Sequence, residues 1–190
     1  MALPCTRTAY APPRSTGRID LKLDGNEGRA PAPELLERAM KRLICGTPEA
    51  IERYPDTTQL EQLLAQLSGV SRDRIFVGAG ADDVLERITR HLTKGRFAVT
   101  TPPTFEMIPR YLEEAEIPTA EVTWREGPFP TEQVIEAARA READLVFAVS
   151  PNNPSGATLT SRDLQTLAES LPESLIVLDL VYGEFAAIDL

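Results

Sequence analysis

Apolar positions recur at intervals of three and four along the first third of the chain, then gather into short runs between further helical stretches. Leu35, Leu36, Ala39, Met40, Leu43 and Ile44 predict a helix from Pro31 to about Ile44, closed by Gly46 and Pro48. Arg53-Tyr54-Pro55-Asp56 reads as a turn, with Tyr54 extended ahead of its proline. Leu60, Leu63, Leu64 and Leu67 line one face of a helix over Thr57–Leu67. A regular alternation follows: strand Ile75–Val77, helix Asp82–Leu92, strand Arg96–Thr100, helix Phe105–Glu114, strand Ile117–Thr123, helix Thr131–Arg141, strand Leu145–Ser150, helix Ser161–Ser170 with Thr160 or Ser161 as its N-cap, and strand Leu175–Leu178. Strands alternating with helices predict an α/β fold with a mostly parallel sheet. The runs at 145–149 and 175–178 have no polar alternation, so both strands are expected to be covered on both faces. Residues 1–30, with Pro4, Pro12 and Pro13 and little periodicity, read as an N-terminal arm; 31–190 read as the α/β body.

Composition narrows the function classes. The 190 residues are 42% hydrophobic and 26% charged, enough for one sizeable core. A net charge of −9 repels phosphate backbones and anionic lipid, which argues against nucleic-acid or membrane-surface binding. No run of 18 apolar residues occurs, and a cytoplasmic protein is expected. Cys5 and Cys45 have no metal spacing; a disulfide is not required, and free thiols in a reducing compartment are expected. The single histidine, His91, lacks ligand-spaced neighbours and reads as a surface or packed residue. Trp124 is expected to pack at a sheet end, and Phe185 in the core.

In a parallel sheet, ligands bind beyond the C-terminal ends of the strands. After 75–77 comes Gly78-Ala79-Gly80-Ala81-Asp82-Asp83, a tight turn into a helix whose first amides favour an anion; Asp82 or Asp83 can cap it. It is not a P-loop, since no Lys-Ser or Lys-Thr follows. After 145–149 comes Ser150-Pro151-Asn152-Asn153-Pro154-Ser155-Gly156. This is either a plain turn or a means of fixing an asparagine amide, a donor to a phenolate-type oxygen, at the ligand edge. After 175–178 comes Asp179-Leu180-Val181-Tyr182. A carboxylate placed directly after four apolar residues is costly unless it caps a helix, reaches solvent or meets a cation.

Together with Leu23-Asp24-Gly25-Asn26-Glu27, Arg53-Tyr54-Pro55-Asp56 and Pro103-Thr104-Phe105, these segments resemble the N-terminal part of fold-type-I pyridoxal-phosphate aminotransferases of class I/II, histidinol-phosphate aminotransferase-like. The resemblance implies a three-layer α/β/α large domain, incomplete at the C-terminus, with the small C-terminal domain absent. It implies pyridoxal 5'-phosphate as cofactor, with backbone contacts from Ala81 and Asp82 to the cofactor phosphate. Asn153 and Tyr182 would reach the ring oxygen and Asp179 the ring nitrogen. It further implies that Tyr54 reaches the phosphate in a neighbouring subunit of a homodimer, that Asn26 and Glu27 lie on the substrate side, and that an amino donor and a 2-oxo acid are the substrates.

Ile108 stands where the family pattern brings an aromatic that stacks on the cofactor ring; Phe105 is a substitute, and Pro109 is expected to distort the helix start. The lysine that holds the cofactor is expected after Leu190, since Lys22, Lys41 and Lys94 have no Ser-Lys context, and transamination by residues 1–190 alone is not expected. Two strands of the family sheet are expected between 75–77 and 175–178 but are not in the chain. Alternatives are a pyridoxal-phosphate decarboxylase of a phosphorylated amino acid, a non-catalytic subunit or truncated remnant, and a plain nucleotide-binding domain.

Overall fold

A computed structural model of the chain describes residues 31–45, 52–92 and 97–186. The chain divides into two compact units, Met1–Asp56 and Thr57–Leu190. The first contributes helix α1, Pro33–Cys45. Pro33 stands at its first position, where a missing N–H removes no intrahelical bond. The apolar stripe of α1, Leu35, Leu36, Met40 and Leu43, is exposed.

The second unit begins with α2, Thr58–Ser68, which ends on Gly69 in the left-handed conformation that a helix C-terminus favours. A 3-10 turn, Arg72–Arg74, leads to α3, Ala81–His91. Then come β1 (Ala98–Thr100), α4 (Met107–Glu114), β2 (Thr119–Glu121), α5 (Thr131–Arg141), β3 (Leu145–Val149), α6 (Ser161–Ser170) and β4 (Leu175–Asp179), followed by a 3-10 turn at Gly183–Phe185. The four strands form one sheet in the order β2-β1-β3-β4, every pair parallel.

Strand side chains alternate between two cores. Ala98, Leu145, Phe147, Val149 and Val177 face one way and pack with Leu85 of α3 and with Ile108, Tyr111 and Leu112 of α4. Val99, Val146 and Ala148 face the other way, against Val134, Ile135 and Ala138 of α5 and Leu167 of α6. The architecture is the predicted α/β/α one. All five residues of β3 are buried. Burial of its larger side chains stabilises by about 1.5–3 kcal/mol each, so β3 is a firm base for the loop that follows it. On the second face Trp124 is buried edge-to-face against Phe129, ring centroids 5.0 Å apart, and donates Nε1–H to the Gly127 carbonyl at 3.1 Å. His91 ends α3 exposed to solvent.

Four expectations are corrected. Ile75–Val77 is no strand, although Ile75 is extended; among the described residues no strand pairs with it, and a ladder requires two strands. β4 is not covered on both faces: Val177 is buried, while Leu175 is exposed and Ile176 and Leu178 are half-buried, because among the described residues β4 is a sheet edge. Phe185 is 85% exposed rather than core, in a 3-10 turn past the end of β4 that buries none of its residues. Pro109 does not distort α4. It sits in the first turn, where the N–H has no intrahelical acceptor to lose.

Among the described residues no helix is long and apolar enough to cross a membrane, and no group of ligating side chains is placed to hold a metal ion.

Candidate functional site

A crevice opens in a parallel sheet where adjacent strands send their following helices to opposite faces. β1 leads into α4 on the Leu85 side, and β3 leads into α6 on the Trp124 side. The two strands are hydrogen-bonded neighbours, so the reversal lies between their C-terminal ends. A cleft of about 220 Å³ is found there. That is smaller than the roughly 300–1,000 Å³ of sites for drug-sized ligands and suits a single-ring molecule.

One wall is the start of α3, with Ala79, Gly80, Ala81 and Asp82 lining the cleft. Gly80 is the N-cap residue at φ 88°, ψ 175°, backbone that is nearly glycine-only, and it offers no capping side chain. Neither aspartate caps the helix as expected. Asp83 turns back instead: Oδ2 accepts from the Ala79 N–H at 3.0 Å and Oδ1 from Arg87 Nε at 2.7 Å. The Ala79 amide, then Arg87, hold the Asp83 carboxyl below its ordinary pKa. A Cβ on Gly78 would stand 2.8 Å from Asp83 Oδ2 and from Val84 Cγ2, so this latch needs a glycine there. The first amides of α3, orphaned by helix geometry, are left at the cleft.

The second wall comes from the loops after β1 and β3. Phe105, Val149 and Asn153 line it. Ile108 does not: it is 1% exposed, inside the core under α4, and the aromatic at the cleft is Phe105. Asn152 is 2% exposed, and its Nδ2 donates to the Pro103 carbonyl at 2.8 Å and to Ser155 Oγ at 2.9 Å.

The third wall is the end of β4 and the turn beyond it, with Asp179, Val181 and Tyr182. Asp179 Oδ1 accepts from the Val181 N–H at 2.9 Å. Burial pushes the Asp179 carboxyl above its ordinary pKa, the Val181 amide pulls it down, and the charge of Asp82 pushes it up again. No lysine or arginine lines the cleft among the described residues.

Ala81, Asp82, Asn153, Asp179 and Tyr182, which lie far apart in sequence, therefore meet at one cleft. Tyr54 belongs to the other unit, where it is 99% exposed. Asn26 and Glu27 lie outside the described residues. Sequence reasoning overlooked Val149, Val181 and Asn152. The twin asparagines were a signal for the last, but nothing in their order tells which points inward.

Comparison with known proteins gives the chain relatives over most of its length. The histidinol-phosphate aminotransferase of Thermococcus gammatolerans is 34% identical over 172 residues, 89% of this chain and 48% of that protein. Histidinol-phosphate aminotransferase 1 of Arabidopsis thaliana is 33% identical over 177 residues, 89% of this chain and 40% of that one. The crystal structure of histidinol-phosphate aminotransferase from Sinorhizobium meliloti, in complex with pyridoxal-5'-phosphate, superposes with a TM-score of 0.67 at 28% identity, over 82% of this chain and 42% of that one. The chain spans about half the length of the curated relatives it matches. The family model for aminotransferase class I and II matches residues 19–190, and the chain belongs to that family.

Proposed function

We propose that this polypeptide is the cofactor-binding part of a pyridoxal-phosphate aminotransferase that passes an amino group from an amino acid or a phosphorylated amino alcohol, of the histidinol-phosphate kind, to a 2-oxo acid. One observation carries the reading: a desolvated carboxylate, Asp179, and the uncapped start of α3 line the same small cleft. The first asks for a cation, the second for an anion, and Phe105, Val149 and Val181 between them ask for an apolar ring. Pyridoxal phosphate, a protonated pyridine bearing a phosphate, meets all three.

In this reading Asp179 accepts a hydrogen bond from the ring N–H and so keeps the ring nitrogen protonated. The Ala81 and Asp82 amides hold the phosphate. Asn153 and Tyr182 donate to the ring oxygen, and Phe105 packs on the ring. The bound cofactor supplies an electron sink for the bond broken at the substrate's α carbon. The exposed stripe of α1, Leu35, Leu36, Met40 and Leu43, supports association with a second copy, within which Tyr54 would reach the partner's cofactor and Asn26 and Glu27 the substrate. The exposed Cys45 thiol suits a reducing, cytoplasmic setting.

The test is a titration of the purified protein with pyridoxal phosphate, read by the cofactor's absorbance and induced circular dichroism. Saturable binding is expected, weakened at least tenfold by Asp179→Ala. Absence of binding, or an equal affinity in that variant, overturns the reading. Binding of a nucleotide in its place would favour a nucleotide-binding domain.

A further inference from the structure

We propose that Asn152 is a positioning residue that joins the two halves of the cleft's second wall, setting Phe105 and Asn153 relative to one another. The role towards a ligand rests on the pyridoxal-phosphate reading.

The β1–β3 ladder pairs Ala98 with Leu145 and Val99 with Val146. Further along, each strand turns to its other neighbour. The Thr100 and Pro102 carbonyls accept from Val122 and Trp124 on the β2 side, and the Ser150 N–H donates to the Asp179 carbonyl on the β4 side. The two loops thus part at the place where the cleft opens. The Asn152 side chain spans them with its 2.8 Å bond to the Pro103 carbonyl. Pro103 is two residues before Phe105, and Asn152 adjoins Asn153.

Asn152 is itself held in its own loop. Its N–H donates to the Ala157 carbonyl at 2.8 Å, and its carbonyl accepts from the Gly156 N–H at 2.7 Å. The bond to Pro103 is therefore made from a fixed platform. A carbonyl only accepts, so the group facing it must be the NH₂, which settles the amide's orientation. That orientation leaves Oδ1 buried without a partner among the described residues. An unmet buried acceptor costs about 1–3 kcal/mol. The side chain is retained for its donors, and a turn-forming residue alone would not need them.

Asn152→Asp tests this, since it keeps the shape but sets an anionic oxygen against the Pro103 carbonyl. Ser174→Ala is the control. It removes another part-buried bond to a main-chain carbonyl, Ser174 Oγ to Ala143 at 2.6 Å, at the opposite end of β3. Asn152→Asp is expected to weaken pyridoxal-phosphate binding at least tenfold and to shrink the cofactor's induced circular dichroism at saturation. Ser174→Ala should lower thermal stability while leaving both unchanged. Wild-type affinity and dichroism in Asn152→Asp, or equal losses in the two variants, overturn the proposal. If Asn152→Asp fails to fold, Asn152→Ser, which keeps a shorter donor and no charge, takes its place. Amide hydrogen exchange without cofactor separates this proposal from the cofactor reading. Faster exchange of the Ile108 amide, which donates to the Phe105 carbonyl at 3.1 Å, in the Asn152 variant supports the span even if wild type binds no pyridoxal phosphate. Unchanged exchange there overturns it.

Discussion

Asp179, at the end of β4, and Asp82, in the first turn of α3, reach one cleft from different walls, and the Asp82 charge acts on the Asp179 carboxyl. Burial is the main reason that the Asp179 carboxyl sits above its ordinary pKa; the Asp82 charge adds to it, against the pull of the Val181 amide. An acid kept in such a place lowers the stability of the empty protein and raises its affinity for a cation.

Asp179→Asn is therefore expected to stabilise the cofactor-free protein at neutral pH and to weaken pyridoxal-phosphate binding. Asparagine keeps an oxygen for the Val181 N–H and removes the charge. A carboxyl whose folded pKa is raised contributes stability that is complete below its unfolded value and lost as pH rises through the folded one. Urea midpoints of variant and wild type should converge below the unperturbed pKa of 3.8 and separate above it, the variant being higher. A variant less stable than wild type at neutral pH would contradict this.

Gly80→Ala is expected to cost about 1–3 kcal/mol, because φ 88° with ψ 175° is almost closed to residues with a Cβ. The open space around Gly80 gives no steric clash, so the loss is one of backbone conformation. Gly69→Ala, at φ 66° after α2, should cost about 1–2 kcal/mol. Chemical denaturation measures both, and the cofactor titration tells them apart: only Gly80→Ala should weaken binding.

Thr160 and Asp163 form a capping box at the start of α6, and Asp163 Oδ1 also accepts from Thr131 Oγ1 at 2.7 Å, tying in the start of α5. Burial acts against the Asp163 carboxylate, but the hydrogen bonds from Thr160 and Thr131 prevail and hold its pKa below 3.8. The stability this adds is present above that value and lost as pH falls through the folded one. Thr160→Ala should cost about 1 kcal/mol at neutral pH and less in acid, with Thr160→Ser close to wild type. A pH-independent difference between Thr160→Ala and wild type would refute the assignment.

Burial, together with the charge of Asp82, pushes the Tyr111 hydroxyl up to about 12. The folded state keeps the phenol neutral, so its contribution is complete below pH 10 and lost as pH rises towards 12. Wild type should lose stability over that interval more steeply than Tyr111→Phe. Parallel curves for the two proteins would show that Tyr111 titrates freely.

Helices α5 and α6 lie where the pattern predicts because their signals are local: apolar spacing along Thr131–Arg141, and the Thr160 to Asp163 box ahead of Ser161–Ser170. The order of the chemical segments was legible too, since each strand end carries its own unusual residues. Ile75–Val77 was misread because apolar content does not supply a partner. Phe105 and Ile108 are three residues apart, and the choice of which enters the core and which faces the cleft belongs to the packing of α4 on the sheet. Asn152 and Asn153 are adjacent and chemically identical, and only the position of the Pro103 carbonyl separates their tasks.

The strand order has a kinetic consequence. β1 and β3 are neighbours in the sheet, yet α4, β2 and α5 are all translated between them. Their pairing brings together segments far apart in sequence, so the loop between them must close before β1 and β3 gain a ladder bond with each other. The binding cleft stands over that late seam. Folding should therefore be slow compared with a helical protein of this size, and the ligand-competent surface should be among the last parts of the molecule to take shape.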